Sequence, residues 1–160
     1  MPTARSGLAV AVYENQIYAI AGQALNGPTA VVERYDLETQ KWDTLASKPL
    51  AVADVQSAVV GGRLFVPGGR LADGTVTNRL EVYDPRRNLW EQRQSVPVAV
   101  SAYALATFEG KLYLFGGWDG QQFVDTVYEY DPATDAWVQR THMSSARGFM
   151  GAASIEGSIY

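Results

Sequence analysis

The sequence predicts an all-β protein built from repeated four-stranded antiparallel units. A unit of 47 or 48 residues occurs three times and begins a fourth time. Its phase is marked by four aromatic residues, Tyr18, Phe65, Tyr113 and Tyr160. The tryptophans Trp42, Trp90 and Trp137 follow the same period. No window longer than a few residues shows helical 3.6-residue periodicity. A fixed period of this length is typical of chains made of identical structural modules.

The third unit shows how one module is predicted to fold. Strand A covers residues 102–108, and Glu109-Gly110 provides a primed hairpin turn, with glycine where a positive φ is needed. Strand B covers residues 111–115 and stops at a Gly-Gly pair. A polar loop over 118–125 precedes strand C at 126–130. A turn that contains Pro132 then leads to strand D at 136–139.

Such a module cannot bury a core of its own, so copies must stack on one another. Closing the stack into a ring gives a β-propeller, an architecture that leaves only short, protected strand edges. Alanines recur in strand A, at Ala11, Ala58, Ala106 and Ala153. Small residues are needed where strands crowd around a central axis. We therefore expect strand A on the inside and the Trp-bearing strand D on the outside.

Large aromatic residues are predicted to join neighbouring modules. Each buries roughly 150–250 Å². This corresponds to about 4–6 kcal/mol of gross transfer free energy as an upper bound. The paired glycines after strand B are expected to let the backbone pass close to a neighbouring aromatic ring.

Together these features resemble the kelch repeat, in which a Gly-Gly pair precedes a Tyr and, seven positions later, a Trp. The matching positions are Gly22, Gly68, Gly69, Gly116, Gly117, Tyr35, Tyr83, Tyr130, Trp42, Trp90 and Trp137. Ala21 departs from the pattern by replacing the first glycine of its pair. Pro67 departs from it by lying in strand B, which places it at a strand end or a bulge. The resemblance implies a kelch-type propeller of five to seven blades, most often six.

The repeat divides the chain into kelch repeats at 1–50, 51–98 and 99–145, with the start of a fourth repeat at 146–160. About three and a third blades do not close a ring. We therefore expect this sequence to be a segment of a larger, six-bladed propeller. The rival hypothesis is a half-ring that dimerises, with self-association through open blade edges.

Composition narrows the possible functions. The net charge of −4 gives no reason to expect binding to nucleic acid or to an anionic membrane. The chain has no cysteine and one histidine, His142, so thiolate catalysis and a multi-histidine metal site are excluded. No apolar run approaches the roughly 18 residues of a membrane span. We expect no cofactor or metal, and the sequence does not indicate a compartment.

Candidate binding residues lie at the start of strand A and in the loops between strands B and C, at 23–30, 70–78 and 118–125, where the one change in unit length occurs. The candidates are Arg5, Arg70, Trp118, Asp119 and Arg147. The kelch resemblance places these loops and the D-to-A connections on one face, and it makes the arginines candidates for acidic groups of a partner. The alternatives are a Trp118 folded onto its own blade and arginines that hold backbone carbonyls.

Two carboxylates, Glu33 and Glu81, share a phase in strand C, which would suit acid–base work. They belong to separate blades, so a structural role is the favoured interpretation. The leading hypothesis for function is a scaffold that binds an unidentified protein or peptide, with no catalysis in this segment. The alternative is part of a kelch-type enzyme, such as a sialic-acid mutarotase-like protein. A purely architectural repeat is a third possibility that the sequence does not separate from the first.

Overall fold

Each sequence unit forms one antiparallel sheet in the computed structural model, which describes all residues from 1 to 160. The first sheet contains β1 (Ala9–Tyr13), β2 (Gln16–Ile20), β5 (Val32–Asp36) and β6 (Lys41–Thr44), with a short hairpin of β3 (Gln23–Ala24) and β4 (Gly27–Pro28) between β2 and β5. The second contains β7 (Ala58–Val60), β8 (Arg63–Pro67), β9 (Leu80–Asp84) and β10 (Leu89–Arg93). The third contains β11 (Ala104–Phe108), β12 (Lys111–Trp118), β13 (Phe123–Asp131) and β14 (Ala136–Arg140). A final hairpin pairs β15 (Ser154–Ile155) with β16 (Ser158–Ile159).

In each complete sheet the spatial order of the strands follows the chain, so the sheets are four-stranded meanders, here called blades 1, 2 and 3. The first strands of successive units, β1, β7, β11 and β15, contact one another. Of the last strands, β6 and β14 are largely exposed, and β10 has no fully buried residue. The expected inside and outside positions of strands A and D are therefore confirmed, and the architecture is a partial propeller.

Two apolar clusters fill the spaces between blades. One includes Tyr18, Ile20 and Leu64 and lies between blades 1 and 2. The other includes Phe65, Leu112 and Tyr130 and lies between blades 2 and 3. Both surfaces of blade 2 are thus buried, because each module completes its core against its neighbours.

Aromatic residues join adjacent blades through a repeated set of hydrogen bonds on the outer side. The Trp90 indole donates to the carbonyl of Ala46 in the preceding blade, and Trp137 donates in the same way to Gln94, both at 2.9 Å. The Ala46 amide in turn donates to Asn88 Oδ1, which also accepts the hydroxyl of Tyr83 at 2.6 Å. We call this arrangement of tyrosine, Asx side chain and tryptophan the outer clip.

The glycine pairs bring the backbones of neighbouring units together, a contact that the sequence analysis did not predict. The second glycine of each pair donates its N–H to the backbone of the next unit: Gly22 to Val52, Gly69 to Val100 and Gly117 to Arg147. The pairs therefore bring two backbones together. The Tyr103 ring of the next unit also lies close to one pair, because its hydroxyl donates to the carbonyl of Pro67, the residue before Gly68. Ala21, which replaces the first glycine of its pair, adopts the same left-handed backbone, with φ of 56°.

Strand boundaries in the third unit also differ from the prediction. β12 continues through the glycine pair to Trp118, and β13 begins at Phe123. A bulge between Phe115 and Gly117 absorbs the register change and lets pairing resume at Gly117 and Val124. The predicted loop is thus largely a hairpin extension with a tip at residues 119–122. Pro67 is the last residue of β8, a strand end as expected.

Candidate binding site

The B–C connections and the segments that lead into the inner strands lie side by side. Isolated bridges join Ser6 to Gln23, Thr29 to Val52, Ala53 to Arg70 and Ser101 to Trp118. Gly120, at the tip of the blade 3 hairpin, lies against Val76 of the preceding B–C loop. We call this surface the loop face.

Arg5 does not belong to an exposed site on this face, contrary to the prediction. Its side chain is 0% exposed and forms an ion pair with Glu33, with Nη1 2.7 Å from Oε2. Its Nη2 donates to the carbonyl of Ala19 at 2.9 Å. Burial raises the pKa of Glu33, but hydrogen bonds from Thr3 and Arg5 outweigh that effect and leave it lowered. Arg5 is therefore occupied within the protein.

A second buried ion pair joins the end of the first repeat to blade 2, and its cation comes from a different phase of the repeat than Arg5. Lys48 binds Glu81, and both side chains are almost fully buried. Burial lowers the pKa of Lys48, and the charge of Glu81 opposes that shift. Glu33 and Glu81 thus hold neighbouring segments in place, which is the structural role favoured by the sequence.

Arg70 is the predicted arginine that lies partly open on the loop face, with a side chain 33% exposed. Its Nε is 2.7 Å from Asp54 Oδ2, and its Nη2 is 3.3 Å from Gln23 Oε1. Asp54 and Gln23 come from different blades. The partly exposed Arg70 guanidinium therefore lies beside the Asp54 carboxylate and the Gln23 side-chain amide, where blades 1 and 2 meet.

Trp118 packs within an aromatic cluster on the same face. Its ring is 5.3 Å from that of Phe123, and Phe123 is 6.3 Å from Phe149, with both pairs near edge-to-face. Trp118 is half-buried, whereas Phe123 is 42% exposed and Phe149 is 74% exposed. Trp118 therefore packs on its own hairpin and beside two exposed rings, and its role in binding stays a prediction. We call Trp118, Phe123 and Phe149 the aromatic cluster.

The two remaining predicted residues have different positions. The Asp119 carboxylate accepts the backbone N–H groups of Gln121 and Gln122 at 2.7 and 2.8 Å, so it shapes the hairpin tip. Arg147 is exposed, and its guanidinium donates to the Ser145 hydroxyl without forming an ion pair. Its backbone N–H donates to Val124, which fixes Arg147 beside the hairpin that carries Phe123.

One pocket at the centre of the inner strands includes residues that the sequence analysis did not select. Gly7, Asp54, Ala102 and Phe149 all line it, and all have φ between 53° and 57°. They occupy the same phase of the repeat. A large aromatic residue at a phase otherwise held by glycine, aspartate and alanine was the available signal for Phe149. For Phe123 the repeat offered no comparable signal.

The remaining polar residues form local contacts. His142 Nδ1 lies 2.8 Å from Asp125 Oδ1, and His142 Nε2 lies 3.0 Å from Gln139 Nε2.

No three His, Cys, Asp or Glu side chains come together in a way that could hold a metal ion. No helix of sufficient length and hydrophobicity to span a membrane occurs. The loop face carries exposed aromatic rings and partly or fully exposed arginine side chains, which suit apolar and anionic groups.

Solved structures place this fold in a known architecture. The chain superposes on the protein in "Structure of YjhT" with a TM-score of 0.84, at 20% sequence identity. The match covers 97% of this chain and 58% of that one. At this identity the likeness shows the fold alone.

Curated relatives match shorter stretches of the sequence. Kelch repeat and BTB domain-containing protein 13 of Homo sapiens is 39% identical over 71 residues, which is 44% of this chain and 16% of that protein. Kelch-like protein 41b of Danio rerio is 36% identical over 69 residues, or 43% of this chain and 11% of that protein. Kelch-like protein terF of Aspergillus terreus is 35% identical over 78 residues, or 46% and 17%. These matches span less than a fifth of each relative.

The family described as the KLHDC2/KLHL20/DRC7 Kelch-repeats domain matches residues 7–160, almost the whole chain. This match covers the glycine pairs, tyrosines and tryptophans on which the sequence resemblance rests. The chain therefore belongs to the kelch-repeat family.

Proposed function

We propose that this chain is an interaction scaffold that binds a segment of a protein or peptide on its loop face. The observation that carries the proposal is the aromatic cluster, because two of its rings are exposed on a surface built by connections from several blades. Exposed apolar groups of this kind, with polar groups nearby, mark interaction sites. Aromatic residues and arginine are also the types that dominate binding energy at interfaces.

The charged groups suggest what else the partner segment contains. Arg147 is an exposed cation without a carboxylate partner, and Arg70 is half-exposed beside Asp54. A carboxylate on the partner would accept hydrogen bonds from the Arg147 guanidinium. The proposed ligand is therefore an acidic and apolar peptide segment.

The test is selection of a displayed peptide library on the full chain, followed by calorimetric titration of a selected peptide. We expect Trp118→Ala and Arg147→Ala each to weaken binding by about 10- to 30-fold, as residues near hot-spot strength do. Val138→Ala is the matched control, since Val138 is an exposed apolar residue on the outer strand β14. Equal loss in Val138→Ala, or no loss in the loop-face variants, would contradict the proposal.

The enzymatic alternative, a sialic-acid mutarotase-like protein, requires free acid–base or anion-binding groups near the central axis. Arg5 and Glu33 bind each other below the surface, as do Lys48 and Glu81, which weighs against their use in catalysis. NMR measurement of anomer exchange of N-acetylneuraminic acid decides between the two. Exchange that is accelerated in proportion to protein concentration would favour the enzyme and count against a pure scaffold.

A further inference from the structure

Blade 2 concentrates arginine at the end of its sheet that is opposite the loop face. The turns between strands A and B and between strands C and D lie together at this end of each meander, which we call the turn face. Three turn-face positions of blade 2 hold Arg63, Arg86 and Arg87. The equivalent positions hold Gln16, Glu38 and Thr39 in blade 1 and Lys111, Ala133 and Thr134 in blade 3. The turns therefore form without these arginines.

Blade 2 also lacks the glutamate that the other units carry in the A–B turn. Gly61 stands at the phase of Glu14, Glu109 and Glu156. Gly61 and the following Gly62 have φ of 56° and 74°, and neither N–H donates to an acceptor within the protein. Compared with the other units, this turn has one negative charge fewer and keeps two free backbone donors.

A pocket of about 370 Å³ lies among these turns, where blade 1 meets blade 2. Its lining residues are Tyr13, Gly61, Gly62, Arg63, Asp84 and Arg86. All of them belong to two complete blades that pack directly on each other, so no further unit is needed to form the walls. The C–D turns are exposed in all three blades, at Glu38, Arg86 and Ala133. An open turn face is thus a property of the repeat.

The guanidinium charges at this pocket are only partly neutralised. Glu91 Oε1 accepts hydrogen bonds from both Arg63 and Arg93, so two cations share one carboxylate. Arg86 Nη2 lies 3.1 Å from Glu14 Oε1, but the two side chains are 74% and 55% exposed. Exposed ion pairs of this kind are weak. A ligand anion can therefore displace Glu14 from Arg86.

Asp84 is the one carboxylate in the lining, and the turn already uses it. Its Oδ1 accepts the backbone N–H groups of Arg86 and Arg87 at 3.0 and 3.2 Å. Asp36 and Asp131 accept N–H groups in the same turn of the other two blades. With two guanidinium groups and this one carboxylate, the lining carries a net positive charge.

We infer that this pocket binds a phosphate monoester. The lining supplies guanidinium groups, two backbone N–H groups and the Tyr13 hydroxyl, which donates to Glu14 at 2.7 Å in the free protein. A phosphate monoester presents three strong acceptor oxygens and close to two negative charges, whereas a carboxylate presents two oxygens and one charge. The pocket lies on the face opposite the loop face, so this inference does not depend on the proposed function.

The first test is an NMR titration of the full chain with inorganic phosphate and with acetate at matched ionic strength, followed through the backbone N–H signals of Gly61 and Gly62. We expect saturable shifts at pH 7 and a dissociation constant at least about 10-fold lower for phosphate than for acetate, because phosphate carries more charge. Phosphate should bind more weakly as the pH falls below about 6, where it loses its second charge. Equal affinity for acetate, or no saturation, would overturn the inference.

Two variants and a matched control locate the site. Arg86→Gln should weaken phosphate binding by at least about 10-fold, whereas Arg79→Gln removes an equally exposed charge at the other end of blade 2 and should leave it unchanged. Gly61→Glu restores the residue of the other units, and Glu109 shows that the turn accepts it, with φ of 48°. This variant should fold and lose binding. Equal weakening in Arg86→Gln and Arg79→Gln would show an effect of net charge alone and would overturn the inference.

The last comparison identifies the source of the phosphate. The probes are N-acetyl-O-phosphoserinamide, which represents a phosphorylated protein, and glycerol 3-phosphate, which represents a small metabolite or a lipid headgroup. Tighter binding of either probe than of inorganic phosphate supports a monoester site and indicates its source. If inorganic phosphate binds and both esters fail to bind, the pocket does not accept a monoester and the inference is wrong.

Discussion

Left-handed backbone residues recur at three kinds of position in each unit: hairpin turns, the glycine pairs and the inner entry to strand A. At the glycine pairs the missing side chain matters as much as the backbone angle. A Cβ on Gly68 would overlap the carbonyl oxygen of Val100, whereas a Cβ on Gly74, also left-handed, would meet nothing within 4 Å. A substitution at Gly74 therefore measures the strain of the left-handed backbone alone, and a substitution at Gly68 measures that strain together with the steric overlap.

We predict that Gly68→Ala lowers the free energy of unfolding by about 2–5 kcal/mol, from backbone strain and forced displacement of the next unit. Gly74→Ala should cost about 1–2 kcal/mol, from strain alone. Urea titrations followed by circular dichroism measure both values. Similar costs at the two sites would mean that the close approach to Val100 does not matter.

Glu129 is the residue at which stability should depend most clearly on acidity. A hydrogen bond from Lys111 lowers its pKa, burial opposes this, and Arg140 and Tyr113 lower it further, to about 2. An ordinary glutamate titrates near 4.3. The carboxylate therefore stabilises the fold above about pH 4.3, and that stabilisation is lost as the pH falls towards about 2.

We predict that Glu129→Gln lowers the free energy of unfolding by about 1–2 kcal/mol at neutral pH. This value is reduced because solvent screens the partly exposed Lys111 and Arg140. The difference in free energy of unfolding between this variant and the wild type should shrink as the pH falls from about 4.3 to about 2. Urea unfolding at a series of pH values tests this. A difference that stays constant over that interval would contradict the assigned pKa.

At the scale of elements, the outer clip is the repeated connection between blades. Burial raises the pKa of Tyr83 to about 12, so its hydroxyl stays protonated and donates to Asn88. Asp135 takes the place of Asn88 in blade 3. Its Oδ1 accepts hydrogen bonds from the Tyr130 hydroxyl and from the backbone N–H of Gln94. Gln40 stands at this phase in blade 1, where its side chain makes no such bond.

Asn88→Ala should lower the free energy of unfolding by about 1–3 kcal/mol, because the Tyr83 hydroxyl and the Ala46 amide both lose their acceptor. Asn88→Asp should retain most of the stability, since blade 3 uses aspartate in this role. Gln40→Ala is the matched control and should have a small effect. Thermal and urea unfolding measure the stability of all three variants. Equal losses for Asn88→Ala and Gln40→Ala would show that the outer clip does not stabilise the fold.

The connection between blades 1 and 2 also depends on the buried pair of Lys48 and Glu81. Lys48→Met leaves a buried carboxylate without its cation, so we expect a loss of about 3–5 kcal/mol. Adding Glu81→Leu should recover much of that loss. Arg86→Ala breaks an exposed pair with Glu14 and should cost at most about 1 kcal/mol. A double variant as unstable as Lys48→Met alone would contradict this account.

Across the whole molecule, the blades form a stack in which each one packs mainly against its neighbours along the chain. Gln56 of the second unit also donates to the carbonyl of Met150 in the fourth, at 2.8 Å. Stability in such a stack depends on interfaces, so a blade with two interfaces should open least often. Blade 2 meets this condition. At the other extreme, the two-residue strands β15 and β16 pair mainly with each other and are largely exposed.

Amide hydrogen exchange measured by mass spectrometry should therefore be slowest in β8 and β9 and fastest in β15 and β16. The outer strands β6 and β14 should lie between these limits. Uniform protection across all blades would show that the chain opens only as a single cooperative unit.

Much of the fold could be predicted from the sequence, because strands and turns depend on local features. The repeat predicted four strands per unit, the inner and outer positions and the hairpin turns. It did not predict that β12 would continue to Trp118, because the bulge after Phe115 depends on pairing with β13. Nor did it show that the glycine pairs serve backbone contact with the next unit.

The repeat by itself determined the module, its phase and its tyrosine and tryptophan positions, since each of these is encoded within one unit. Only the tertiary structure decided which functional candidates remain exposed. Arg5 is buried in an ion pair with Glu33, whereas Arg70 lies partly open beside Asp54. The third unit has Tyr128 at the phase of Glu33 and Glu81, and Val100 at the phase of Arg5. Pairing, burial and the aromatic cluster depend on contacts between distant residues, which local spacing does not encode.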